Sequence, residues 1–157
     1  MPGCGKSTLI QQIIVSLKEK RIAGISTPEI RNGERTGFKI IDLATGSEEI
    51  LSSVDIKTGP HVGRYGVNVE GIDTIVDLFL RSLPEAKKVF IDEIGKMEFF
   101  SQKFKAMCNT LFECDKTVIA VVHRNLVQKF KDKGKLIWLE RDTFDRIKKQ
   151  ILEEIIS

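Results

Sequence analysis

Short apolar runs alternate with longer amphipathic segments along most of this 157-residue chain. The first amphipathic segment, residues 6–20, repeats its apolar side chains at helical intervals, at Leu9, Ile10, Ile13, Ile14 and Leu17. These intervals place the side chains on one face of a helix. Similar spacing predicts helices over residues 72–83 and 101–112, and a last helix that begins after an N-cap at Asp142.

The shorter apolar runs predict strands. They cover residues Ile22–Ser26, 89–91, Thr117–Val122 and 136–139. Thr117–Val122 shows no polar alternation, which predicts a strand covered on both faces. Residues 36–43 and Glu48–Ser53 flank the turn sequence 44–47, and this arrangement predicts a β-hairpin.

The order of these elements indicates the fold class. Because strands alternate with helices, the chain is predicted to be α/β, with a mainly parallel sheet, helices on both faces and an inserted β-hairpin. The sequence shows no internal repeat and no domain boundary. Residues 1–157 are therefore predicted to form one domain.

Composition narrows the range of functions. The chain is 41% hydrophobic and 30% charged, with a net charge of +3 that is spread along its length, so charge alone does not indicate nucleic-acid binding. No apolar run reaches the ~20 residues that span a bilayer, and the N-terminus lacks the apolar core of a signal peptide. Its three cysteines form no C-x-x-C pair, which argues against zinc and a disulfide framework. We expect a cytoplasmic monomer.

The N-terminal sequence ends a phosphate-binding loop. Residues 3–8, Gly-Cys-Gly-Lys-Ser-Thr, match the end of G-x-x-x-x-G-K-[ST] and lead straight into the first predicted helix. Gly5 lets backbone N–H groups turn toward phosphate, Lys6 places its ammonium on the outer phosphates, and the Ser7 hydroxyl reaches Mg²⁺. The candidate nucleotide-binding residues of this loop are Pro2, Gly3, Cys4, Gly5, Lys6, Ser7 and Thr8.

The loop departs from the full pattern in one respect. The pattern has a further glycine five residues before Gly5 and a strand ahead of it, and both would precede Met1. We therefore expect that the first strand is missing from this chain, which would be truncated relative to the pattern. A sheet without that strand would expose hydrogen-bonding edges, so we expect lower stability and activity than in an extended version.

The second candidate site follows the strand at 89–91. Asp92, at the tip of this strand, is suited to hold Mg²⁺ beside Ser7, as a Walker B acid does. Glu93 is suited to act as general base on the attacking water, and this acid favours a hydrolase over a kinase. The candidate nucleotide-binding residues are completed by Asp92, Glu93, Ile94 and Gly95. Gly95 permits a tight turn out of the strand. Lys96 is placed to reach a phosphate or to pair with Glu98.

Residues 91–98, Ile-Asp-Glu-Ile-Gly-Lys-Met-Glu, resemble the signature of a family of small P-loop nucleoside triphosphatases from thermophilic archaea and bacteria and from humans. Residues 24–31, 35–38, 62–68 and 99–104 resemble further family segments. The resemblance implies a RecA-like P-loop fold and slow, Mg²⁺-dependent hydrolysis of ATP, GTP, CTP and UTP with little base specificity. It assigns Gly3, Gly5, Lys6, Ser7 and Thr8 to phosphate and Mg²⁺, Asp92 to Mg²⁺, and Glu93 to water activation. Our candidate catalytic residues are Glu93 and Lys6.

Several cations stay without an assigned role. Any of them could stabilise the transition state as an arginine finger would, and the candidates are Arg31, Arg35, Arg64, Lys96 and Arg146. Asp145 stands where the resembled family usually has asparagine. His123 follows a strand, at a place where a γ-phosphate sensor can lie.

Two other functions stay open at this stage. A nucleotide or small-molecule kinase would use the same phosphate loop but needs an acceptor pocket. A nucleotide-gated RNA-binding module would use the local basic cluster Arg124, Lys129, Lys131, Lys133 and Lys135, although no aromatic platform is interleaved with it.

Overall fold

The computed structural model describes residues 5–18 and 20–156 of the chain. Pro2, Gly3 and Cys4 of the predicted phosphate loop therefore lie outside the described residues. The helices are α1 Lys6–Ser16, α2 Val69–Ser82, α3 Gln102–Leu111, α4 Val127–Phe130 and α5 Phe144–Ile156. The strands are β1 Ile22–Ser26, β2 Glu29–Asn32, β3 Glu34–Asp42, β4 Glu48–Ser53, β5 His61–Val62, β6 Tyr65–Val67, β7 Lys88–Ile94 and β8 Thr117–Val122.

All of these strands join one sheet, in the order β5-β6-β4-β3-β1-β7-β8, with β2 paired to β3. β1, β7 and β8 run parallel, whereas the other pairs are antiparallel. The predicted α/β class and the hairpin of β3 and β4 are confirmed. The sheet is mixed rather than mainly parallel, because the short connections between β2 and β6 allow only antiparallel neighbours.

Helices cover both faces of the sheet, as predicted. Side chains of a strand alternate between faces, and β7 shows this directly. Val89 and Ile91 belong to the core that contains α2 and α3. Phe90 between them belongs to the second core, with α1 and α5. β7 is thus buried on both sides, which holds its carboxyl end rigidly. None of the helices in the described part of the chain is long and apolar enough to cross a bilayer.

Two predicted helix boundaries are wrong. The first helix was expected to continue to residue 20 but ends at Ser16, because Leu17 adopts extended backbone angles (φ −80°, ψ 140°) and leads the chain toward β1. Asp142 is not the N-cap of the last helix. A 3₁₀ turn, Arg141–Thr143, precedes α5, and Glu140 and Thr143 form a capping box around it.

The region beside β8, at the end of the parallel part of the sheet, also differs from prediction. Residues 136–139 form no strand, so that expectation is wrong. β8 is covered on both faces as predicted, although none of its residues is fully buried: Val118, Ala120 and Val122 pack against the core of α2 and α3, and Ile119 and Val121 against that of α1 and α5. A cavity of about 640 Å³ lies between residues 136–139 and β8, and it is lined by both segments and by α1 and α5. A strand forms only against a hydrogen-bonded neighbour. Within the described residues β8 pairs only with β7, so residues 136–139 have no strand partner there.

Candidate phosphate-binding and catalytic site

The candidate site lies where the parallel strands end. Ser26 of β1 is in register with Asp92 of β7, so the carboxyl ends of the two strands meet at one edge of the sheet. The Thr27 hydroxyl donates a hydrogen bond of 2.9 Å to the backbone carbonyl of Asp92 and joins the two ends. Ligands of open α/β sheets bind at this edge.

Gly5 forms the entry into α1. It adopts the left-handed conformation (φ 86°, ψ 26°), and its carbonyl accepts the first helical hydrogen bond, 2.8 Å from the amide of Leu9. A Cβ at this position would lie 3.1 Å from the ring of Phe144, at the start of α5. Both the backbone angle and the close ring therefore favour glycine here, as the phosphate-loop pattern predicts. α1 presents its free N–H groups at this end, which suits an anion.

Ser7 and Asp92 come together as the sequence predicts. Asp92 is only 7% exposed, and burial raises the pKa of its carboxyl above the ordinary value. A hydrogen bond from Ser7 and the charge of Lys6 lower that pKa in part, whereas the charge of Glu93 raises it further. A buried carboxylate with an unfavourable charge balance is a place where a bound cation is stabilising.

Lys6 and Glu93 form an ion pair. The Lys6 Nζ atom lies 3.6 Å from Glu93 Oε2, and both side chains stay about one quarter to one third exposed. α1 therefore carries Lys6 to the end of β7, beside both predicted acids. Thr8 is exposed on α1.

Beyond Glu93 the chain turns sharply. Ile94 is 1% exposed, and its carbonyl accepts a hydrogen bond of 2.9 Å from the amide of His123, which ties the end of β7 to the end of β8. The amide of Gly95 donates to Glu98 Oε2 at 2.7 Å. Glu98 is 5% exposed, and burial raises its pKa to about 7.

Glu98 is the residue that sequence reasoning missed. It was considered only as an ion-pair partner of Lys96, but Lys96 is exposed and the described residues show no ion pair between them. One signal was available. Glu98 is an acid three residues after Gly95 and is followed directly by Phe99 and Phe100, so an apolar environment could have been expected.

The residues present fit Mg²⁺. This ion prefers hard oxygen ligands and is commonly held by one or two carboxylates together with substrate phosphates. Ser7 and Asp92 supply a hydroxyl and a carboxylate at one point. In the described part of the chain, no group of three or more His, Cys, Asp or Glu side chains could hold a metal by itself, so phosphate oxygens would have to complete the coordination.

Three of the arginines belong to a separate cluster on the antiparallel part of the sheet. Arg35 donates to the Tyr65 hydroxyl at 2.9 Å and stacks over the Tyr65 ring, and this hydroxyl also receives a hydrogen bond from Arg64. The two arginines lower the pKa of Tyr65. Arg31 pairs with Glu29 at 2.8 Å. These contacts give each of them a partner within the sheet.

The remaining candidates differ in what surrounds them. The His123 ring accepts a hydrogen bond of 3.2 Å from the amide of Asn125, so it caps the turn after β8. Arg146 is exposed on the first turn of α5, two residues after Phe144, the residue whose ring lies close to Gly5. Within the basic cluster, Lys129 stacks over Phe99 at 5.0 Å and Lys135 pairs with Glu154.

Known proteins resemble this chain over almost its whole length. A sequence model described as NTPase matches residues 1–152. The nucleoside-triphosphatase THEP1 of Methanocaldococcus jannaschii is 43% identical over 162 residues, which is 100% of this chain and 94% of that protein. THEP1 of Thermotoga maritima is 37% identical, and the match spans 99% of this chain and 90% of that one.

A solved structure shows the same fold. The crystal structure of THEP1 from the hyperthermophile Aquifex aeolicus matches with a TM-score of 0.83 and 34% sequence identity, over 99% of this chain and 95% of that one. The similarity therefore includes the parallel strands and the helices that position the site described above.

Proposed function

Because the chain belongs to the NTPase family, we propose that it hydrolyses nucleoside triphosphates to nucleoside diphosphates and phosphate, with Mg²⁺ as cofactor. One observation carries the proposal. α1 brings Lys6 and Ser7 to the carboxyl end of β7, where they contact Glu93 and Asp92. A cation for phosphate, two oxygen ligands for a metal and a carboxylate base thus share one edge of the sheet.

The chain's own residues divide the reaction between them. The free N–H groups at the start of α1 and the ammonium of Lys6 bind the outer phosphates. Once Lys6 turns to phosphate, Glu93 is free to orient a water molecule and to accept its proton. The water oxygen bonds to the γ-phosphorus as the bond to the β–γ bridging oxygen breaks, and the diphosphate leaves.

Ser7 and Asp92 would hold Mg²⁺ at the phosphates. When bound, this ion supplies charge neutralisation on the β- and γ-phosphate oxygens. The buried Asp92 carboxyl, whose pKa burial raises, gains most from such a counter-charge.

We propose broad base specificity with slow turnover on ATP, GTP, CTP and UTP. The roles proposed here involve phosphate, metal and water, and these are the same for all four substrates. The residues with these roles are Lys6, Ser7, Asp92 and Glu93. The kinase alternative is disfavoured by Glu93, because a kinase excludes water from its transferred phosphate. Cys108 and Cys114 are free thiols, which supports a reducing cytoplasm as the compartment.

The experiment that tests this function is phosphate release from each of the four triphosphates, with Mg²⁺ and with Mg²⁺ removed by EDTA. We expect release from all four within about tenfold of one another and its loss with EDTA. Transfer to an added nucleoside monophosphate, without release in its absence, would support the kinase. Salt-sensitive retention on RNA without any release would support the RNA-binding module.

We propose in addition that the cavity beside β8 can hold a further strand. The cavity runs along β8, is walled by Ile10, Ile119, Ile147 and Trp138, and reaches Lys6. Within the described residues, β8 pairs with β7 alone. A strand here, parallel to β8, would cover these apolar walls.

The single tryptophan of the chain reports on this proposal without any activity assay. Trp138 is 62% exposed. To offer such a strand, we would extend the chain ahead of Met1 by about ten apolar, mostly β-branched residues, with an equally long Gly/Ser extension as control. Only the apolar extension should shift Trp138 emission to shorter wavelength, raise Tm and increase phosphate release. Equal behaviour of both extensions would contradict the proposal.

A further inference from the structure

Glu98 is buried without an assigned role in the reaction. It is 5% exposed, it begins a short 3₁₀ helix, Glu98–Phe100, and burial raises its pKa. Burying a carboxyl group is unfavourable unless hydrogen bonds compensate it, and an apolar side chain would fill the same space at lower cost. The contacts of this carboxyl therefore indicate what it contributes.

The main contact is to the turn that ends β7. Glu98 Oε2 accepts the amide of Gly95 at 2.7 Å. Gly95 lies two residues after Glu93, and a Cβ on Gly95 would be 2.8 Å from Glu98 Oε2 and 3.5 Å from Glu93 Oε1. The two carboxyl groups thus approach Gly95 closely, and a side chain on Gly95 would displace the Glu98 carboxyl group.

Glu98 itself is held by a rigid part of the fold. Its carbonyl accepts the amide of Ser101 at 3.1 Å. The Ser101 hydroxyl caps α3 by accepting the amide of Phe104 at 3.0 Å, and donates to Asp73 of α2 at 2.6 Å. Ser101 is completely buried. Glu98 therefore connects two parts of the fold: its backbone carbonyl contacts the packed pair of α2 and α3, and its carboxyl group contacts the turn after β7.

We propose that Glu98 is a positioning residue, which accepts the Gly95 amide, fixes the turn after β7 and thereby holds the Glu93 carboxylate in its working orientation. This inference rests on the proposed function of Glu93 as base. The essential property is the hydrogen-bond acceptor and not the charge, because the partner is a neutral amide. A carboxylate held loosely loses much of its effect as a base, since misplacement of a reacting group lowers the rate steeply.

The test compares Glu98→Gln with Glu98→Leu in the full chain. Glutamine keeps an acceptor oxygen at the same position, whereas leucine has a similar volume and no acceptor. We expect kcat within about threefold of wild type for Glu98→Gln and at least tenfold lower for Glu98→Leu, which is the effect of about 1.4 kcal/mol. KM should stay within about threefold in both, because phosphate binding by α1 is not altered.

A double variant separates positioning from a general loss of structure. If Glu98 acts through Glu93, Glu98→Leu should cause little further loss in a Glu93→Gln background. A full additional tenfold loss there would contradict the inference. Three other outcomes would also contradict it: a wild-type kcat in Glu98→Leu, an equal loss of kcat in Glu98→Gln and Glu98→Leu, or an effect confined to KM.

A measurement independent of activity keeps this inference distinct from the proposed function. Hydrogen exchange of the Gly95 amide, followed by NMR, should be slow in wild type and Glu98→Gln and at least tenfold faster in Glu98→Leu. Gly134→Ala, on a segment where a Cβ meets nothing within 4 Å, serves as the control variant. If wild type releases no phosphate, the proposed function fails, and unchanged Gly95 exchange in Glu98→Leu would overturn the positioning role by itself.

Discussion

The ammonium of Lys6 lies 3.6 Å from Oε2 of the Glu93 carboxylate, so the proposed phosphate-binding cation and the proposed base pair with each other. Both side chains are partly exposed, and exposed ion pairs contribute little stability. An incoming triphosphate can therefore displace Glu93 from Lys6 at little cost in free energy. The same exchange leaves Glu93 without its partner beside the bound phosphates, which couples substrate binding to release of the base.

Glu93→Gln should remove turnover and keep nucleotide binding. The amide can still occupy the site but cannot accept the proton of the attacking water, and general-base catalysis commonly contributes 10²–10⁴-fold. We expect phosphate release to fall at least about 100-fold, with the Kd for ATP within about threefold, measured by phosphate release and isothermal titration calorimetry. Glu153→Gln, at an exposed position of α5, is the matched control. Turnover retained in Glu93→Gln would remove the base from this residue.

Lys6→Ala should weaken binding and turnover together. It removes the ammonium that faces the outer phosphates and leaves Glu93 without its ion-pair partner. A charge-assisted hydrogen bond contributes about 1.5–3 kcal/mol, so we expect a rise in the Kd for ATP of at least about tenfold. Lys18→Ala, exposed just after α1, is the control. An unchanged Kd in Lys6→Ala would exclude contact between Lys6 and phosphate.

The stability of the protein should depend on pH through Glu98. Burial, with smaller contributions from Glu93 and Asp92, raises the Glu98 pKa from 4.5 to about 7 in the folded chain. The folded state therefore holds this proton more tightly than the unfolded state does. The contribution of Glu98 to stability is fully present below pH 4.5 and is lost as pH rises through about 7. The loss attributable to this group amounts to about 3 kcal/mol.

Urea unfolding of wild type and Glu98→Gln between pH 4.5 and 8 measures the loss of stability that is attributed to Glu98. The variant lacks the ionisable group, so its advantage in free energy of unfolding over wild type should grow by about 3 kcal/mol across the range. A constant difference between the two proteins would show that Glu98 does not titrate differently in the folded chain.

Gly24→Ala should destabilise the fold strongly. A Cβ on Gly24, in the middle of β1, would lie 2.4 Å from the carbonyl oxygen of Phe90 and 2.6 Å from the side chain of Leu43. Overpacking of this kind costs about 1–3 kcal/mol. Gly134→Ala, where a Cβ meets nothing within 4 Å, should change the free energy of unfolding by less than about 0.5 kcal/mol. Equal Tm values for the two variants would contradict the tight packing of β1 on β7.

Cys108 should resist alkylation in the folded protein. Burial raises its thiol pKa to about 12, with a smaller contribution from Glu98, so little thiolate exists at pH 8. Cys114 is half-buried and should react faster. Mass spectrometry of peptides after treatment with iodoacetamide distinguishes the two, and unfolding in guanidinium should equalise them.

Local pattern was sufficient for much of the fold. β1 and β8 begin and end at the predicted residues, and the hairpin of β3 and β4 is present. Lys6 and Ser7 of the phosphate loop do contact Glu93 and Asp92. In a parallel α/β unit the carboxyl ends of the strands and the N-termini of the helices lie at the same edge of the sheet, so residues at these two places come together. The prediction of a strand at residues 136–139 was wrong. A strand needs a hydrogen-bonded partner strand, and the local sequence does not show whether one is present.

The sequence by itself determined which residues carry charge and which are candidates for metal binding and for the base. It also determined the type of most helices and strands, since these depend on residue type and spacing within a few turns. Only the tertiary structure decided that Glu98 is buried on the Gly95 amide, that Arg35 and Arg64 converge on Tyr65, and that a cavity lies beside β8. Each of those depends on contacts between segments distant along the chain or on burial, and burial is a property of the packed molecule rather than of any one segment.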